Sequence, residues 1–86
     1  MYKIVIHGSP VDPFLQVGVF ENKELKDKKE TNINNLHLVV FDFINTYSIT
    51  EINLAGAKVY MQGIQQQLEK EGKINYSIKD LTFNYV

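Results

Sequence analysis

The sequence predicts a mixed α/β fold in a single domain spanning residues 1–86. Three observations point to it. Apolar residues recur at every second position in the opening segments, the spacing of strands. They recur at every third or fourth position in two later segments, the spacing of helices. A further strand-like run separates those two helical segments. The order is therefore β-β-β-α-β-α-β: an antiparallel meander, then a β-α-β unit whose right-handed crossover pairs its strands in parallel.

The first strand is "YKIVIHG", with Tyr2, Ile4 and Ile6 on one face and Lys3, Val5 and His7 on the other. "SPVDP" follows as a loop, its two prolines and aspartate breaking regular structure. "FLQVGVFE" is the second strand, with Leu15, Val17 and Val19 on one face. "ENK" makes a hairpin turn into a third strand, "ELKDKKET". Its alternating charges suit a solvated sheet edge, where Lys discourages edge-to-edge association.

"NINNLHLVVFDFINTYS" is the first helix, capped by Asn34 or Asn35. Leu36, Val39, Val40, Phe43, Ile44 and Tyr47 form its apolar stripe. Asp42 and Asn45 lie opposite the stripe, but so do Leu38 and Phe41. A helix this apolar is either covered on both sides or presents an interface.

"ITEINLAG" is the next strand and "AKVYMQGIQQQLEKEG" the second helix, with Tyr60, Met61, Ile64 and Leu68 facing inward and Gly72 as its C-terminal cap. Gly63 costs that helix roughly 1 kcal/mol relative to Ala, so it is expected to mark a close approach of helix to sheet. In "KINYSIKDLTFNYV" the alternation Ile74, Tyr76, Ile78 changes phase to Leu81, Phe83, Tyr85. A bulge or turn at Lys79-Asp80 would absorb the slip.

Composition narrows the chemistry. Apolar residues at 44% and charged residues at 22% are globular values, which argues against a disordered chain. At this length the fold buries only about 60–65% of the surface its unfolded chain exposes, so its stability margin is thin. Without cysteine there is neither a disulfide framework nor a thiolate metal site. All nine cations are Lys and the net charge is −1, so there is no global attraction to nucleic acid and no guanidinium fork to grip phosphate. "MYKIVIHGSP" lacks the apolar length and cleavage site of a signal peptide, and no run approaches the roughly 20 apolar residues of a membrane span. The expectation is a cytoplasmic protein with no membrane contact.

Several short motifs fall in a meaningful order. "VIHGS" ends the first strand, "PVDPFLQVGVF" follows, "TNINNLHL" opens the first helix, and "AGAKVYMQGI" joins the fourth strand to the second helix. Together they resemble the core of the ribonuclease H-like fold over most of residues 1–78. In that family the first strand ends in an Asp followed by Gly and Ser; here His7 stands before Gly8 and Ser9. The family's first helix begins with a catalytic Glu; here the place falls on Leu36, His37 or Leu38. Its fourth strand leads to an Asp-Ser pair, then a Tyr and a Gly-Ile; here Tyr60, Gly63 and Ile64 remain, and the acid's place falls on Gly56 or Ala57. Family members cleave with two divalent ions held by clustered carboxylates. A further family carboxylate follows the last core strand, and the sequence stops at Val86. The resemblance thus implies the architecture without the chemistry, and no cofactor.

Other readings follow from individual residues. If the resemblance holds, His7 and His37 approach each other, and with Asp12 they are the candidates for a transition-metal site; the plainer expectation is two solvated or hydrogen-bonded histidines. "AGAK" is a short connection into a helix, not the longer Gly-rich run of a phosphate loop. Lys23, Lys26, Lys28 and Lys29 are interleaved with Glu21, Glu24, Asp27 and Glu30, which gives a mixed-sign edge with little long-range field. Tyr60, Tyr76, Phe83 and Tyr85 have the spacing of packing residues, not of base-stacking platforms. Leu38, Phe41, Asp42 and Asn45 form a candidate protein interface, most simply a homodimer through the first helix; the competing expectation is that "LTFNYV" folds over Leu38 and Phe41. The functional expectation is a non-catalytic protein working through protein contacts, such as an accessory or inhibitor protein of a phage or mobile element. The alternatives are a module binding an RNA–DNA hybrid or a single strand without cleaving it, and a His-based metalloenzyme.

Overall fold

The structure, a computed structural model, describes residues 1–75 and 81–86, with the backbone alone for residues 73–75. Its element order is β1 (Tyr2–His7), β2 (Phe14–Glu21), β3 (Glu24–Asn32), a 3-10 turn (Ile33–Asn35), α1 (Leu36–Thr46), β4 (Ile49–Ala55), α2 (Lys58–Asn75) and β5 (Thr82–Tyr85). The strands make one five-stranded sheet in the order β3-β2-β1-β4-β5. β1 pairs antiparallel with β2, and β2 with β3. β1 pairs parallel with β4, and β4 with β5. The sheet is mixed, as the alternation of meander and crossover segments predicts.

The hairpin between β2 and β3 has a two-residue loop, because Glu21 and Glu24 are partners across it. Asn22 takes φ 57 there, a left-handed conformation that Asn tolerates better than most side chains. A register shift between Val19 and Phe20 marks a bulge in this pair.

Period-two alternation sends Ile4 and Ile6 of β1, Leu15, Val17 and Val19 of β2, and Ile52 and Leu54 of β4 to one face. Leu36, Val40 and Phe43 of α1 and Met61, Ile64 and Leu68 of α2 meet them in a single buried core. Both helices therefore cover the same face. β3 helps to hold α1 in place: Lys29 Nζ donates to Asp42 Oδ2 at 3.0 Å, and Tyr47 Oη donates to Asp27 Oδ2 at 3.2 Å. Tyr47 also stacks obliquely on Tyr2, ring centroids 5.0 Å apart.

Six local expectations are corrected. Asn35 holds the N-cap position of α1, but its side chain makes no capping hydrogen bond; Asn32 caps the 3-10 turn before it, its Oδ1 accepting from the Asn35 N–H at 3.1 Å. The cap falls earlier because a 3-10 turn precedes the α-helix. Gly72 does not end α2, which continues to Asn75, so a strand beginning near Ile74 is also overturned. The expected turn at Lys79-Asp80, with Tyr76 and Ile78, lies outside the described residues. Among the described residues nothing lies within 4 Å of where a Cβ on Gly63 would stand, so this glycine marks no close approach to them. Tyr85 is 39% exposed at the edge strand, unlike the packed Tyr60 and Phe83. Finally, Phe41 is buried, 5% exposed, and shares nothing of the exposure of Leu38. It lies one turn beyond His37, whose Nε2 is 3.9 Å from Glu71 of α2. A helix with a sheet below and a second helix beside it buries a wider arc than one stripe.

Candidate functional site

The motifs containing His7 and Gly56 lie at the ends of β1 and β4, and the two strands run parallel there, His7 beside Ala55. The Gly8 N–H donates to the Ala55 carbonyl at 3.2 Å, which ties the strand tips together. Gly56 follows with φ +152, a backbone conformation that side-chain-bearing residues rarely adopt. A Cβ on Gly56 would run into the Gly8 carbonyl oxygen and lie 2.9 Å from Met61 Cε. A Cβ on Gly8 would collide with Leu15 Cδ2. Two glycines thus close this end of the sheet, with Met61 packed behind them. Gly56 could not carry a carboxylate without displacing the backbone of Gly8.

Ala57 is different. It is exposed, and its carbonyl accepts from the Met61 N–H at 2.9 Å, which opens α2. It stands at a helix start with a methyl group where capping residues carry an oxygen.

His7 and His37 are not brought together, which corrects the expectation that they approach. Alternation places His7 with Lys3 and Val5 on the face away from the helices, whereas His37 lies on α1, on the helix-covered side. The sheet separates them. Asp12 is committed locally: its Oδ1 accepts from the Phe14 N–H at 2.9 Å and fixes the β1–β2 loop. Among the described residues no group of three or more His, Asp or Glu is placed to hold a metal ion.

Of the interface residues read from the sequence, Leu38, Asp42 and Asn45 are exposed and Phe41 is not. Asp42 is engaged by Lys29. β5 pairs with β4 at the edge of the sheet opposite β3, the strand that α1 leans on, so Thr82–Tyr85 does not cover Leu38. Lys26 lies between Glu21 and Glu24 at 3.8 and 3.3 Å, so the basic run is partly neutralised within its own edge.

The second sheet face carries the off-phase residues of the strands. No helix of the described residues covers it. Val5, Gly18, Phe20 and Leu25 form a shallow apolar groove there, with His7, Gln16 and Lys28 around it and a volume of about 200 Å³. Gly18 belongs to the groove: a Cβ on it would lie 3.0 Å from the Phe20 ring and 3.2 Å from Leu25 Cδ1, so both side chains lean across it. The β4–β5 half of the face is polar. Asn84 Nδ2 donates to Asn53 Oδ1 at 3.1 Å and to Glu51 Oε2 at 2.5 Å.

No protein-family model matches the chain, and none of the curated proteins matches it. No helix among the described residues is long and apolar enough to cross a membrane.

Proposed function

We propose that this chain is a non-catalytic protein of ribonuclease H-like architecture that acts through contacts with other proteins. The element order β-β-β-α-β-α-β around a mixed sheet supports the architectural part. One observation carries the functional part: the tips of β1 and β4 are closed by the contact of Gly8 with Gly56, where ion-holding carboxylates would have to project. Two-ion hydrolysis needs oxygen ligands clustered at such a place, and here there are a methyl group, an imidazole on the far face and glycine backbone. An accessory or inhibitory role in a phage or mobile element fits strand tips without carboxylates.

The test is an RNA–DNA hybrid incubated with purified protein in magnesium or manganese, beside a binding titration at low salt. The reading predicts no cleavage and no salt-dependent affinity. Cleavage abolished by a point substitution in the protein would overturn it, and tight binding that weakens with salt would favour the nucleic-acid module instead.

A further inference from the structure

We infer that the outer edge of β5 is a self-pairing surface, on which the β5 of a second copy of this chain docks antiparallel about a two-fold axis. The inference rests on the protein-contact reading above and gives it a partner and a place.

Backbone geometry comes first. β5 runs parallel to β4, and the Val86 N–H donates to the Leu54 carbonyl at 2.9 Å. Along a strand, residues alternate between bonding one neighbour and facing the other side. With Val86 bonded to Leu54, Asn84 and Thr82 also turn toward β4, and Phe83 and Tyr85 point their N–H and C=O groups away from it. β5 is the last strand of the sheet, so among the described residues no strand pairs with those outward groups.

The two edges of the sheet differ. β3 is guarded: six of its nine residues are charged and its pairing with β2 carries a bulge, both devices that keep a further strand off. β5 has neither. Thr82, Phe83, Asn84 and Tyr85 are uncharged, their register with β4 is regular, and Tyr85 and Val86 are 39% and 69% exposed. A strand of four residues makes the contact weak without closing it.

Self-complementarity selects the occupant. With the axis at Asn84, Phe83 of each copy stands opposite the partner subunit's Tyr85, and every outward N–H meets a C=O. The same two residues supply both sides, so none of these groups is left over, whereas a longer strand would run past the edge. Phe83 packs against the core and the Tyr85 hydroxyl donates to Gln65 of α2, so both rings lie on the helix-covered face. The pairing therefore sets aromatic against aromatic twice, a favourable cross-strand contact. No charged residue of β5 meets its own image.

The experiment is sedimentation equilibrium of the full chain from micromolar to millimolar concentration, with amide hydrogen exchange at both ends of that range. A concentration-dependent dimer is expected. The Phe83 and Tyr85 amides should exchange freely in dilute solution and severalfold more slowly in concentrated solution. The Asn84 amide, held by β4, should be protected in both. Tyr85→Pro removes an outward N–H and leaves the bonds of Asn84 and Val86 to β4 in place; Tyr85→Ala removes the same side chain and keeps that N–H. The proline variant should dimerise about tenfold more weakly than the alanine variant, because each dimer loses two hydrogen bonds. The exchange pattern of the unmodified chain decides the matter even if the proline variant unfolds. A chain that stays monomeric at millimolar concentration, equal dimerisation of the two folded variants, or a dimer that leaves the Phe83 and Tyr85 amides exchanging freely would overturn the inference. A dimer whose concentration-dependent amide shifts lie around Leu38 would also overturn it, while leaving the protein-contact reading in place. Cleavage of the hybrid by the same preparation would overturn that reading whatever the state of association.

Discussion

The carbonyl oxygen of Gly8 occupies the space in which a Cβ of Gly56 would stand. That contact joins the tips of two parallel strands, and Met61 seals it from the helix side. It explains the glycine at position 56 in the turn after β4. The backbone approaches too closely for a side chain at Gly56, and the left-handed φ of +152 excludes one independently.

Gly56 and Ala57 should therefore respond to an introduced acid in opposite directions. Gly56→Asp should destabilise the fold by at least about 2 kcal/mol, from backbone strain and overpacking together. Ala57→Asp should stabilise it by about 1 kcal/mol, because the new carboxylate can cap α2. Urea unfolding midpoints of both variants decide this, and equal midpoints would contradict it.

On α1, burial and not helical phase should set the cost of truncation. Phe41→Ala should cost about 3–5 kcal/mol, the range for a buried aromatic, and Leu38→Ala within about 0.5 kcal/mol, as for other exposed sites. In a domain this small, thermal unfolding would show Phe41→Ala as a collapse of the transition or its loss. A near-neutral Phe41→Ala would return that residue to the surface.

Gly63, in the middle of α2, faces space that no described residue fills. Gly63→Ala should raise stability by about 0.5–1 kcal/mol through reduced unfolded-state entropy and better helix propensity, or about 2–8 °C in melting temperature. A lower melting temperature would mean that the helix needs the glycine.

Alkaline pH should loosen the grip of β3 on its neighbours. Partial burial, then the hydrogen bond to Asp27, raises the Tyr47 phenol above its usual range. The neutral phenol is thus favoured by folding; its contribution is complete below the unfolded value of about 10 and fades as pH rises through the folded value. Lys26 is also raised, chiefly by its hydrogen bond to Glu24, so its charged form is favoured and its contribution is lost in the same direction. Denaturant midpoints should hold to about pH 9.5 and fall above pH 10, with a shallower fall for Tyr47→Phe. Identical slopes for wild type and Tyr47→Phe would contradict this.

The strands were legible in the sequence because each buries one face, so Ile4, Ile6, Leu15, Val17 and Val19 announce themselves by alternation. The helices were legible as elements but not as neighbours. Nothing local says that α2 lies beside α1, which is why Phe41 reads as exposed. Gly63 and Gly72 show the same limit: a glycine within a helical pattern does not reveal whether space, a cap or neither explains it. The closed strand tips were not legible, since the Gly8–Gly56 contact joins residues far apart in the chain. The groove lay in the off-phase residues of β1 and β2, whose mixed character gives no periodic signal.

Manganese relaxation broadening, read amide by amide in the ¹⁵N spectrum, tests most directly whether these strand tips can gather divalent ions. No preferential broadening is expected at Gly8, Gly56 or Ala57 at micromolar manganese. Selective loss of those signals, reversed by magnesium, would contradict it.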